Sequence, residues 1–225
     1  MFALAASSAF ATAQYPDKVV YEGKEYSLHT NPMEAYFTKH PDKKPKNGVM
    51  STALWRGYVA TFEFKTNSLV LKDIEIEIWN EAKDDTSWKS VNDDVIPKGK
   101  DLVVDWFTGI LVLPHGKLVN YVHMGYGSTY SNYILLEVKK GKLTGKRAYD
   151  HKKYEIFKEK QFQAFKKTEA YKKHAEELKK KEWSQDDIDS FLRSFVVKYS
   201  SEFLVEEEKK ETSNQELKAT GKPAP

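Results

Sequence analysis

Between Ser184 and Phe203 the large apolar residues Ile188, Phe191, Leu192, Phe195, Val196, Tyr199 and Phe203 recur at spacings of three and four. That period places them along one stripe of an α-helix. Ser184 with Asp187 three residues on marks the helix start: the hydroxyl can accept an orphan N–H, and the carboxylate suits the positive end of the dipole. A one-faced helix must bury its stripe against another layer. Upstream, Tyr154, Phe157, Phe162, Phe165, Tyr171 and Leu178 form a second, broader stripe on a strongly charged helix. The chain therefore ends in two helices that need a surface to cover.

That surface is predicted by a change of period toward the N-terminus. Lys18 to Leu28 alternates around Glu22-Gly23 and reads as a hairpin. Pro32, Pro41 and Pro45 forbid a long regular element between Thr30 and Gly48. Leu54 to Phe64 and Leu69 to Trp79 read as strands joined at Lys65-Thr66-Asn67-Ser68, with Phe64 opposite Leu69. This register puts Tyr58, Ala60, Phe62, Phe64, Leu69 and Leu71 on the core face, with Ile74 and Ile76 on the other. Asn80 to Lys100 is polar and reads as an insertion or a short helix around Trp88 to Val95.

Leu102 to Leu113 and Leu118 to Met124 read as another hairpin around Pro114-His115-Gly116-Lys117. Ile110 and Val112 fall on one face, Leu111 and Leu113 on the other. Both faces are apolar, so both need cover. Tyr133 to Val138 adds a strand that ends at the turn Lys139 to Lys142. The predicted class is α+β: an antiparallel-rich sheet of hairpins in the N-terminal two thirds, covered by two C-terminal α-helices.

The aromatic-rich chain, 40% hydrophobic and 31% charged, can bury a sizeable core in one domain over residues 15–205. Glu206 to Pro225 has almost no large apolar side chain and is expected to be a disordered tail. Thirty-six basic residues against 33 acidic ones, spread along the chain, make no strong field of one sign, so nucleic acid is not an expected partner. Residues 1–14 carry no charge and combine an apolar stretch with small-x-small patterns at Ala9-Phe10-Ala11 and Ala11-Thr12-Ala13, as in a signal peptide. A basic n-region is missing, so either the true start lies upstream or this Met is internal. Export to the periplasm or medium is the expectation. No stretch approaches the twenty or so apolar residues of a membrane helix, so no membrane insertion is expected. The absence of cysteine excludes disulfides, thiolate metal sites and a thioether-linked lipid anchor.

Chemistry has few footholds. No Gly-x-Ser-x-Gly, Walker loop or deaminase signature occurs, no histidine pair has zinc-ligand spacing, and no cofactor or metal is expected. His123 is assigned to a core strand, where it could act as acid or base with Asp105 or Glu63, or be a half-buried structural group. His29, His40, His115, His151 and His174 fall in loops or on helix surfaces. Tyr121, Tyr126 and Tyr130 flank Gly125 and Gly127 in the densest polar and aromatic cluster, which fits a bulge or turn better than a phosphate loop. In Trp55-Arg56-Gly57-Tyr58 the guanidinium is either a binding anchor or half of an internal salt bridge to a residue such as Glu63.

Two segments, Thr52-Ala53-Leu54-Trp55-Arg56-Gly57-Tyr58-Val59-Ala60-Thr61-Phe62-Glu63 and Asp105-Trp106-Phe107-Thr108-Gly109 continuing to Tyr121-Val122-His123-Met124-Gly125-Tyr126-Gly127-Ser128, resemble paired motifs of an uncharacterised bacterial family of small α+β proteins. The resemblance covers the β-rich half only. It implies a fold and no activity. Two functions follow as expectations: an exported non-enzymatic binding protein with a protein partner, of the immunity type that neutralises a toxin, or a periplasmic hydrolase-type enzyme using His123.

Overall fold

The computed structural model describes residues 12–96 and 100–206. Residues 1–11 of the expected signal segment and 207–225 of the expected tail lie outside the described residues. Nine strands form a mostly antiparallel sheet in the order β2 (Lys24–Leu28), β1 (Asp17–Tyr21), β3 (Val59–Lys65), β4 (Ser68–Asn80), β9 (Lys142–Asp150), β8 (Thr129–Lys139), β7 (Gly109–Asn120). Two short strands, β5 (Asp85–Ser90) and β6 (Leu102–Val103), pair with β4 outside that path. Among the described strands only the β1–β3 pair is parallel.

The hairpin turns follow from their residues. Glu22-Gly23, Thr66-Asn67 and Lys140-Gly141 all have positive φ at both positions, the geometry that matches the twist of two-residue hairpins. Phe64 lies opposite Leu69 as the sequence predicts. A register shift between Thr61 and Phe62 then moves the second half of β4 by one residue. The shift brings Ile74 and Ile76 into the core, opposite to their predicted face, because one extra residue reverses side-chain alternation.

The predicted hairpin at Pro114-Gly116 is not a turn. β7 runs through it as one bulged strand, with Pro114 opposite Tyr133 and Gly116 at φ +82°. A proline without an N–H and a glycine in the left-handed region are what a bulge accommodates, and the same dipeptides mimic a turn in sequence. β9, which follows β8 across a two-residue turn, alternates exposed and half-buried positions and has too few apolar residues to announce itself.

The two parts of the sheet, β2-β1-β3-β4 and β9-β8-β7, join along one side through Ser68 opposite Lys142 and the Leu69 N–H to Gly141 carbonyl bond (2.8 Å). On the other side the residues after β2 reach β7: His29 N–H donates to Val112 O (2.9 Å), Val112 N–H donates to Thr30 Oγ1 (3.2 Å), and that hydroxyl donates to Ile110 O (3.2 Å). The sheet thus curls around an inner core that includes Val19, Tyr58, Phe62, Leu69, Ile74, Leu111, Leu113 and Leu136. A two-turn helix, α1 (Met33–Lys39), plugs it with Met33 and Phe37. Among the described residues of the Asn80 to Lys100 stretch the regular elements are β5 and a single turn, α2 (Asn92–Val95).

The outer face of β7 and β8, with Ile110, Val112, Tyr133 and Leu135, is covered by the C-terminal helices, so Ile110 to Leu113 is buried on both faces as its pattern predicts, whereas the predicted second strand, Leu118 to Met124, is exposed at Leu118, Val119, Tyr121 and Met124. The helices number four, not two: α3 (His151–Phe165), α4 (Glu169–Lys179), α5 (Gln185–Ser194) and α6 (Val196–Tyr199). Asp150, Thr168 and Ser184 each cap a start by accepting a backbone N–H three residues on. Thr168 also donates to Phe165 O (2.7 Å), which divides the first predicted helix. In the second, Ile188, Leu192 and Val196 are buried, Phe191 and Tyr199 are half-buried, Phe195 is exposed, and Phe203 lies beyond the helix against Phe157. No helix among the described residues is long and apolar enough to cross a membrane.

Candidate functional site

Strand direction gives the curled sheet two distinct ends. The turns at 22–23, 66–67 and 140–141 occupy one; the segments 12–16, 29–34, 51–58 and 121–130 gather at the other. Asp17, at the start of β1, is fully buried there, and Arg56 is only 4% exposed. Arg56 Nη2 donates to Asp17 Oδ1 (3.2 Å) and to Tyr15 O (2.9 Å), while Nη1 donates to the Tyr126 hydroxyl (2.8 Å). Asp17 also accepts from Ala60 N (2.9 Å) and from Asn31 Nδ2 (3.0 Å), which reaches Tyr126 Oη as well (3.0 Å). Tyr58 Oη donates to Glu34 Oε1 (2.6 Å), and the guanidinium lies 5.7 Å from the Tyr58 ring centroid.

Burial pushes the Asp17 carboxyl up to about 6, with Arg56, the Ala60 N–H and Asn31 pulling the other way. It is ionised at neutral pH. Burial works against the charge on Arg56, but Asp17, Tyr126 and Tyr58 together raise it above its ordinary value. The Tyr58 and Tyr126 hydroxyls are both held above the usual phenol range, chiefly by burial. The His29 ring stacks on Tyr126 (centroids 4.6 Å, 10°) and meets Tyr130 edge-on (5.8 Å); burial pushes it down to about 4. At neutral pH it is an uncharged aromatic wall.

Arg56 is thus half of an internal salt bridge, with Asp17 and not Glu63. Glu63 pairs with Lys65 (3.3 Å) near the turn end. Asp105 is exposed, and its Cα would lie 3.2 Å from a side chain placed at Gly141, also near that end. His123 follows the opposite end of β7, a strand of 12 residues, so His123 and Asp105 are separated on the order of 30 Å at about 3.3 Å per residue. His123 is not in a core strand: it is exposed, and its Nδ1 lies 2.9 Å from the Tyr121 hydroxyl. The structure does not bring His123, Asp105 and Glu63 together. Among the described residues no group of three His, Asp or Glu could hold a metal ion.

The other expected binding residues divide by exposure. Trp55 and Tyr121 are each 59% exposed, Tyr126 and Tyr130 are half-buried around His29, and Tyr58 is wholly buried. Sequence reasoning missed Asp17, His29, Asn31 and Glu34. No local pattern marks them, since 39 residues separate Asp17 from Arg56. The motifs containing Arg56 and Tyr126 do meet in space, through one hydrogen bond.

Around this closed network lies an apolar rim. Segment 12–15 runs between the other two: Tyr15 N–H donates to Ala53 O (2.9 Å), and Gln14 N–H to Gly125 O (3.1 Å). Tyr15 packs edge-on against Trp88 of β5 (5.7 Å). Trp55, Tyr15, Tyr121 and Met124 are exposed on these segments, and Trp88 of β5 and Met50 are exposed as well. The arrangement has no assembled nucleophile, base or metal set among the described residues; what it offers is apolar surface held by a buried scaffold. Comparison with family models, with curated proteins and with solved structures gives no match.

Proposed function

We propose that this chain is a non-enzymatic, exported binding protein that takes a protein partner on the aromatic rim around Trp55, Tyr15 and Tyr121, in the manner of an immunity-type protein that neutralises a toxin. The observation that carries the reading is the pairing of exposed rings with a buried anchor. Arg56 binds segment 12–15 through Tyr15 O, its own loop through the chain, and loop 121–130 through Tyr126. Segments tied together in this way lose little backbone entropy when a partner covers them. Exposed aromatic and Met side chains on such a surface are the anchors that dominate protein interfaces. The uncharged leader-like segment at residues 1–14 supports export.

The test is capture by the immobilised chain from periplasmic and secreted fractions, compared with a Trp55→Ser/Tyr121→Ser double variant. A protein retained by the parent and weakened by about 2 kcal/mol or more in the variant supports the rim. Equal retention by both contradicts it. Hydrolytic turnover that disappears in a folded His123→Ala variant would favour the enzymatic reading instead.

A further inference from the structure

A concave feature lies on the helical layer, where the turn after α4 meets the outer stripe of α5. Trp183, Phe191 and Phe195 wall a recess of about 460 Å³, with the carboxylates of Glu182 and Asp187 beside them. The recess is shallow and open to solvent on one side, so it can hold one face of a small group without enclosing it. Phe191 is the middle wall: Trp183 meets it at 76° with centroids 5.4 Å apart, and Phe195 at 52° and 5.0 Å. Two rings steeply inclined to a third make an open corner.

The helix does not need these exposed rings for its own packing. α5 is held by Ile188 and Leu192, both wholly buried, while Trp183 and Phe195 stay exposed. The acids are also spare. Neighbouring carboxylates are engaged by cations, Asp189 by Lys166 (2.6 Å) and Glu159 by Arg193 (3.0 Å). Glu182 has no ion-pair partner among the described residues, and Asp187 is bound only at α5's cap, by Ser184. They are the only charged side chains lining the recess, and both are negative.

We infer that this corner binds an organic cation of the quaternary-ammonium class, with the alkylated nitrogen against the Trp183, Phe191 and Phe195 rings and its charge balanced by Glu182 and Asp187. Ring faces attract a poorly hydrated cation through their quadrupoles, and Trp does so best. Carboxylates at the rim add the sign discrimination that rings alone supply weakly.

The probe is choline, titrated into the full chain while the Trp183 indole N–H resonance, assigned by its loss in Trp183→Leu, is followed by NMR. The expected result is saturable binding in about the millimolar range, as suits an exposed cation–π site. Its uncharged isostere 3,3-dimethyl-1-butanol should bind more weakly, and Phe195→Leu and Glu182→Gln should each weaken choline roughly two- to fivefold. Both substitutions fall on exposed side chains, and an unchanged amide spectrum elsewhere shows that the fold is kept. Equal binding of choline and the isostere would reduce the corner to an apolar dent and overturn the inference. Absence of any saturable shift would do the same.

Discussion

The interior of the curled sheet and the helical layer outside it are built on opposite faces of the same two strands, β7 and β8, yet they are closed by different chemistry. Leu111, Leu113 and Leu136 face a core whose open end is sealed by the Asp17–Arg56 pair. Ile110, Val112 and Leu135 face a core sealed by Phe157, Phe162, Phe165, Leu192 and Val196, whose buried polar members are the uncharged Gln161 and Ser200. Apolar closure stabilises with little directional demand. A buried ion pair adds little net stability, but it is severe about geometry, since a buried charge that loses its partner is costly. The sheet's open end is where three separate segments must hold one arrangement. The difference therefore teaches that the charged closure serves position and the apolar closure serves stability.

The largest effect should come from breaking the charged closure on one side only. Arg56→Met leaves the Asp17 carboxylate buried without its partner and should cost about 3–5 kcal/mol in urea unfolding. The double variant Asp17→Asn/Arg56→Met should recover part of that loss, because neither partner is then left as an uncompensated charge. On the apolar side, Leu192→Ala should cost roughly 3 kcal/mol through lost burial and a residual cavity, with no such rescue by a second substitution.

A smaller effect is expected at the β7 bulge, just beyond the part of the strand that both cores share. Gly116→Ala would put a Cβ into the Ser131 hydroxyl at a left-handed φ, for a loss of about 1–2 kcal/mol in the same unfolding measurement. Replacing the α5 cap, Ser184→Ala, should cost about 1 kcal/mol and remain confined to the helical layer, read as faster exchange of the first α5 amides.

The pH response sharpens the comparison further. Asp17 has its folded value raised from 3.8 to about 6, so its contribution to stability falls as pH rises through about 4 to 6. His29 has its folded value lowered from 6.5 to about 4, so its contribution is lost as pH falls from about 6.5 toward 4. The two slopes oppose each other over one window. Relative to the parent, Asp17→Asn should lose stability as pH drops from 6.5 to 4, and His29→Phe should gain it, by urea midpoints at each pH. Parallel curves for all three proteins would contradict both assignments.

Much of the layered plan was legible because it rests on local periods. The Glu22-Gly23 turn, the Phe64 to Leu69 register, the two apolar faces of β7 and the Ser184 cap each depend on neighbours within a few positions. What was not legible depends on distance or on ambiguous signals. Pro114 and Gly116 punctuate a bulge and a turn alike, and the slip at Thr61 that turns Ile74 inward leaves no trace in composition. The site was half legible. Arg56, Trp55 and the tyrosines of 121–130 drew notice as a local concentration of functional groups. Asp17 sits in an ordinary strand, and His29 lies in a loop as the sequence predicts, but the two tyrosines it packs against are about a hundred positions away in the chain. The sequence places His123 in a core strand because Leu118 to Met124 reads as the return strand of a hairpin, whereas β7 ends at Asn120 and His123 lies exposed beyond it.

The claim that Arg56 holds the segments of the rim as one unit is tested most directly by native-state hydrogen exchange of the parent and of Asp17→Asn/Arg56→Met. The account predicts that amides of segments 12–16, 51–57 and 121–128 lose protection together, with α3 and α5 unchanged. Loss confined to the 51–57 segment, or spread equally through the helices, would contradict it.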